Sequence, residues 1–316
     1  MNTRFLVERV LQMVIVMWIV ATIVFFVFRI LPGDQAVVLL GQGSTEASRA
    51  ALRAELGLDQ PLIVQYVDWL ASIMRGDFGV AAGYGNSPVT SLLGGATIRS
   101  FELASTAFLI ALVFAIPLGV LAAVRESSWV DHLTRAVAVV GFSMPVFWLG
   151  ILFLLFFSAQ LGWFPSGGYV AFAEDPAGHL QRLFLPALTV GVVQTGVLVR
   201  FVRSSMVEVL QEDYIRTARA KGIRERKVNF KHALRNSSLS FLTVAGIQFG
   251  LLLGGMVVVE KVFAWPGLGL LTVQALGNRS YEVVQGAVLL SAAVFVIVNT
   301  GVDLLYAVLD PRIRNE

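Results

Sequence analysis

Six stretches of the chain are apolar for about twenty residues or more, and polar residues crowd between them. They run over residues 10–31, 101–124, 133–157, 185–204, 241–262 and 286–309. A helix needs ~20 such residues to cross ~30 Å of hydrocarbon. The pattern therefore predicts an all-α, polytopic membrane protein with six transmembrane helices. The first stretch, around "VLQMVIVMWIVATIVFFVF", is too long for the apolar part of a signal peptide, and no A-x-A site follows it. It reads as a retained anchor.

Between the spans, residues 32–100 form the longest polar segment, expected to be helical and to face outward. It opens on "LPGD" (Leu31–Asp34), where Pro stops the helix and Gly permits a turn. One helix is expected to end at Leu56, with Gly57 as its C-cap. A second begins near Asp59 and Pro61, and Ile63, Val67, Leu70 and Met74 keep helical spacing on one face. That face suits the chain's own spans, the membrane surface or a soluble partner. Two further outer loops, "LGWFPSGGY" (161–169) and "FAWPGLG" (263–269), carry Trp163, Phe164, Tyr169 and Trp265. These aromatics suit an interfacial belt, or a rim that receives a ligand-delivering protein.

Composition agrees with a membrane protein. The 316 residues are 56% hydrophobic and 14% charged, with a mean hydropathy of +0.75. A soluble domain would carry about 25% charged residues. A net charge of +3 is too small to argue for nucleic acid, and the absence of cysteine excludes disulfides and thiolate metal sites. Of the 24 Lys and Arg residues, 16 fall on the side of the two termini and of loop 205–240. The positive-inside rule then places both termini, that loop and the tail 310–316 in the cytoplasm.

Catalytic chemistry is missing from the pattern. The lysines are Lys221, Lys227, Lys231 and Lys261, and none precedes Ser or Thr as a Walker loop requires. His132, His179 and His232 are scattered, without H-E-x-x-H, and no G-x-S-x-G occurs. No catalytic, cofactor-binding or metal-ligating residue is therefore assigned, and an intramembrane hydrolase is disfavoured. An ion-driven secondary transporter of small solutes is the rival reading. It usually needs acids deep in its spans, whereas Glu102 and Glu260 sit near span ends. Asp303 lies only ~10 Å along a helix from the cytoplasmic end, in reach of Arg312 or Arg314.

Inside the spans, Gly246, Gly250 and Gly254 recur every four residues, forming a smooth stripe for close helix packing. Gln248 points away from that stripe and needs a partner or a wet pathway. "FSMPVFW" places Pro145 mid-span, where it frees a carbonyl that must face protein or water. Ser143, Met144, Pro145 and Gln248 are candidate pathway residues.

The densest charge lies in "DYIRTARAKGIRERK" (Asp213–Lys227). Asp213 can serve as an N-cap, and Ala218, Ala220 and Gly222 give a thin surface among cations, suited to a groove in another protein. "DYIRTARAKG" followed by "KHALRNSSL" resembles the EAA loop of ABC-importer permeases of the oligopeptide/dipeptide/nickel type. "RILPGD", "LGLDQPLIVQY", "MRGDFG", "SMPVFWLG", "LGWFPSGGY", "VVVEKVFAWPGLG" and "DLLYAVLDPRIR" look like that branch too, in order and spacing along nearly the whole chain. Ser240 and Ile98 depart from it, since the family usually carries proline there.

The resemblance implies a permease core over 101–309, with the EAA loop 205–240 as a cytoplasmic coupling-helix loop. Asp213, Tyr214, Arg216, Thr217, Ala218, Arg219, Ala220, Lys221 and Gly222 would then contact an ATPase. The implied partners are two cytoplasmic ABC ATPases, which use ATP and magnesium, a second homologous permease in a heterodimer, and an extracytoplasmic substrate-binding protein. The implied place is a bacterial or archaeal cytoplasmic (inner) membrane. Short peptides, glutathione-like peptides, nickel chelates and some sugars all fit as cargo.

Overall fold

Helix supplies nearly every element of the computed structural model, which describes residues 3–30, 40, 43–55, 57–81 and 83–309. The "LPGD" turn, Leu56, the 310–316 tail with Arg312 and Arg314, and the side chain of Asp303 lie outside the described residues. The helices are α1 (Thr3–Ile30), α2 (Glu46–Glu55), α3 (Leu62–Met74), α4 (Val89–Val124), α5 (Trp129–Ser143), α6 (Val146–Phe153) and α7 (Pro176–Leu210). Beyond them come α8 (Asp213–Ala220), α9 (Glu225–Lys227), α10 (Leu234–Gly255), α11 (Val257–Val262), α12 (Leu268–Gly277) and α13 (Tyr281–Leu309). Among the described residues one short antiparallel pair of strands, Val80–Ala81 with Ser87–Pro88, joins them.

Four helical stretches, Val7–Ile30, Val89–Val124, Pro176–Leu210 and Tyr281–Val302, are each long and apolar enough to cross a membrane. Six crossings result when two bent pairs each count as one. The expected third span, 133–157, is one of these pairs and not a straight helix. α5 and the 146–160 helix meet at 98°. Pro145 has no N–H to donate and pushes the residue before it out of the helical region, and Met144 is accordingly extended at ψ 131°. Wider π turns over Leu154–Gln160 finish this limb. In the other pair the 225–238 and 241–255 helices meet at 56°, so α10 bends just before the expected 241–262 span, and that span breaks at Met256 into α10 and α11.

The chain divides into two compact bodies, Val7–Ser100 with Pro266–Val294, and Phe101–Trp265 with both chain ends. In the former, α3 packs on the C-terminal half of α1. Tyr66 Oη and Thr22 Oγ1 share a hydrogen bond of 2.8 Å, and Trp69, Leu70 and Ile73 cover Ala21, Val24 and Leu289. The expected stripe therefore splits, with Leu70 packing inward while Ile63, Val67 and Met74 point away. Gly57, at φ +64°, follows α2. Residues 89–100 belong to α4 and not to a separate outer segment, because Leu93 and Ala96 bury against Val283, Val284 and Ala287. Helix α4 runs through Ile98, and α10 runs through position 240.

The other body centres on α7, whose Asp175 N-cap accepts from Gly178 N–H at 3.0 Å. A methyl at Gly191 would come within 3.0 Å of the Ala107 carbonyl on α4, and one at Gly196 within 2.7 Å of the Ala138 carbonyl on α5. Glycine at both positions lets the helix backbones touch.

Candidate functional site

Helix α8 is only eight residues long, so its position depends on what holds it. Glu212 occupies the N-cap position without a side-chain hydrogen bond. The expectation that Asp213 caps is corrected, because Asp213 is already helical. There its charge meets the positive N-terminal end of the helix, and its carbonyl accepts from Thr217 Oγ1 at 3.0 Å. At the other end Gly222, at φ +75°, donates to Arg219 O at 2.9 Å, and Ile223 N–H reaches Ala218 O at 3.3 Å. This is the paired bonding of a Schellman stop, with glycine in its left-handed position.

One face of α8 is pinned. Ile215 is fully buried and Ala218 is 8% exposed, in a cluster with Met206, Val228 and Ala233. Tyr214 Oη accepts from Asn236 Nδ2 at 2.7 Å, tying α8 to the start of α10. Arg219 Nε donates to Glu225 at 3.0 Å. The opposite face presents Asp213, Tyr214, Arg216, Thr217, Arg219 and Ala220, followed by exposed Lys221 and Gly222. The expectation that Ala218 is offered to a partner is thus corrected. Its methyl fills the chain's own core, three residues after Ile215 and so on the same face.

A second clamp holds the base of α7, ten residues before α8. Asp131, fully buried, accepts from Arg203 Nε at 2.6 Å and Nη2 at 2.9 Å. It also accepts from Ser127 N–H at 3.0 Å and pairs with Arg135 at 3.2 Å. Sequence reasoning missed this cluster. The signal was Arg203 itself, a cation at the end of an apolar helix that requires a partner.

At the bend between α5 and α6, Val140, Ser143, Met144, Pro145, Phe147 and Trp148 line an open, apolar cleft of about 530 Å³. Gln248 is half-buried. The buried Oε1 of Gln194, in mid-α7, has no hydrogen-bond partner. Gly246 and Gly250 lie against α13. A methyl at Gly246 would overlap the Val302 side chain, and one at Gly250 would meet Asn299 Nδ2 at 3.1 Å. Gly254 has nothing within 4 Å.

At the far end of this body the two aromatic loops lock together. Gly168 N–H donates to Phe263 O at 2.9 Å. His179, 1% exposed, places Nδ1 2.7 Å from Val170 O and Nε2 2.7 Å from Glu102 Oε1. Tyr169, Phe172 and Trp265 meet its ring edge-on. Trp265 is therefore no belt residue. It is fully buried, while Trp163 stays 63% exposed.

Comparison with known proteins decides what this architecture is. A family described as "Binding-protein-dependent transport system inner membrane component" matches residues 115–315, and its N-terminal counterpart matches residues 2–102. The chain belongs to this family. A putative peptide transport system permease protein of Brucella melitensis biotype 1 is 44% identical over 314 residues, covering 99% of both chains. The glutathione transport system permease protein GsiC of Salmonella typhimurium is 42% identical over 311 residues, covering 98% of this chain and 99% of its own. Among solved structures, the inward-facing MetNI methionine ABC transporter matches with a TM-score of 0.57 at 21% identity, over 69% of this chain and 96% of that one. The last likeness shows the fold. The family makes this chain a permease subunit of an ABC importer in the inner membrane. It is a transport permease, not an enzyme, of a family whose transport depends on a binding protein.

Proposed function

We propose that this permease moves short peptides or glutathione-like peptides, and that α8 is its ATPase-coupling helix. Its relatives' names support the cargo class. A single observation carries the coupling role. α8 is pinned into the core through Ile215 and Ala218 while Arg216, Thr217 and Ala220 stay exposed. Force applied to the exposed row passes directly to Met206 on α7 and to the start of α10, because close-packed interiors transmit strain.

On this reading two partner ATPases bind ATP and magnesium, dimerise, and swing α8. The bent α5–α6 limb with Ser143, Met144 and Pro145, together with Gln248, faces the solute or a second homologous permease in a heterodimer. Both termini and loop 205–240 are cytoplasmic, and a binding protein delivers cargo at the Tyr169–Trp265 end.

The test contrasts two alanines. Ala220→Arg should leave insertion and folding intact while ATPase recruitment and uptake in reconstituted vesicles fall. Ala218→Arg should instead destabilise the chain, since it drives a charge into an apolar core. Normal uptake by Ala220→Arg would overturn the coupling role. Orientation is read separately in this cysteine-free chain. A cysteine at exposed Ser166 should react with an impermeant reagent from outside, and one at exposed Thr217 only from within. Ser237 is 3% exposed and unsuitable.

A further inference from the structure

Arg224, Arg226, Lys227, Phe230 and Lys231 line a cleft of about 400 Å³ just after α8. Glu225, the acid among them, is engaged by Arg219. Among the described residues, the four cations of the cleft have no carboxylate partner. Phe230 is 57% exposed in their midst, whereas its neighbours Val228 and Asn229 are buried. A positive-inside signal requires cations on this side of the membrane, but not a concave group of them around an uncovered aromatic ring.

The setting narrows the occupant. The helix over 225–238 leans 56° from the axis of the 241–255 membrane helix. Phe230 lies eleven residues before Phe241, or roughly 16 Å along a helix. The lean reduces its distance beyond the start of the span to ~9 Å, measured along the span axis. The headgroup layer is ~5–8 Å deep on each face of a bilayer, and the flexible stems of lysine and arginine bridge the remainder.

We propose that this cleft holds the headgroup of an anionic phospholipid in the leaflet it faces. The phosphate sits among Arg224, Arg226, Lys227 and Lys231, and Phe230 lies at headgroup level, where aromatic rings concentrate. Four cations of one sign complement one or two phosphate charges, and a lipid brings them within the ~8 Å over which salt leaves attraction intact.

The experiment uses the assembled transporter in phosphatidylcholine bilayers containing a minority of phosphatidylglycerol. Native mass spectrometry then counts the phosphatidylglycerol that stays bound on release. The wild type should retain it in preference to phosphatidylcholine. Lys227→Gln with Lys231→Gln should weaken this by roughly 30-fold at low salt, whereas Lys227→Arg with Lys231→Arg should preserve it. Both pairs change exposed positions, so the arginine pair controls for folding. Unchanged retention in the glutamine pair overturns the proposal. So does unchanged retention with loss of ATPase co-purification, which would make the cleft a protein contact. The lipid count does not depend on α8 docking, so its failure is distinguishable from failure of the coupling role.

Discussion

Arg203 grips Asp131 with two hydrogen bonds, Nε to Oδ1 at 2.6 Å and Nη2 to Oδ2 at 2.9 Å, and so fastens α7 to the start of α5. Asp131 is fully buried and Arg203 is 19% exposed. Removing one partner of such a pair leaves an uncompensated charge, which typically costs ~3–5 kcal/mol. Glu126, 3.7 Å from Arg203, compensates part of it. Asp131→Ala should therefore destabilise the purified chain by ~3 kcal/mol in chemical unfolding. Asp131→Leu with Arg203→Met should recover much of that, because the charges then left without these partners, Arg135 and Glu126, are both exposed. A single variant as stable as wild type would mean the pair contributes nothing.

His179 offers a second check, at the opposite end of the same body. Both its ring nitrogens face oxygen acceptors, Val170 O and Glu102 Oε1. Glu102→Ala leaves Nε2 buried without a partner, at ~1–3 kcal/mol. The loop carrying Tyr169 and Phe172 rests on this ring. Hydrogen exchange over 164–175 should accelerate in Glu102→Ala while exchange over α8 stays as in wild type. Equal protection in both proteins would remove the clasp.

Four of the spans were legible because length and apolar composition alone decide them, and α8 because a run of helix formers rich in charge stands out in an apolar chain. What escaped depended on partners distant in sequence. Asp131 and Arg203 are 72 positions apart, and Glu102 and His179 are 77 apart. No local pattern pairs them. Ala218 failed differently. Its small size was read as thinness toward a partner, when helical spacing from Ile215 already placed it on the apolar face. Trp265 looked interfacial because indole usually is, yet a tight turn at Ala264, φ +51°, turns it into the core.

The glycine stripe yields a graded prediction. Gly246→Leu meets Val302 and Gly250→Leu meets Asn299 and Phe295. Overpacking of this kind costs ~1–3 kcal/mol, so both should lower the yield of folded permease, before any second subunit is added. Gly254→Ala meets nothing and should express as wild type. If Gly254→Ala loses partner assembly while folding normally, that glycine faces the second permease. If Gly246→Leu folds at wild-type yield, α13 does not pack on α10 as described.

Gly222 separates backbone geometry from space. Nothing lies within 4 Å of where its Cβ would be, so any side chain fits. Its φ of +75° is the obstacle. A left-handed residue other than glycine costs ~1–2 kcal/mol, asparagine is tolerated better than most, and a β-branched residue is a genuine outlier there. Gly222→Asn should therefore keep the stop that lets Ile223 N–H reach Ala218 O. Gly222→Val should unwind the last turn of α8 and move exposed Ala220 and Lys221. Uptake in reconstituted vesicles should follow the order wild type, Asn, Val, with ATP hydrolysis by the partners persisting but transport per ATP falling. A steric role in docking gives a different order, because Asn and Val are of similar size and would then fail alike. Equal loss in the two variants would assign Gly222 to the docking surface, whereas loss in Val alone assigns it to the geometry of the helix stop.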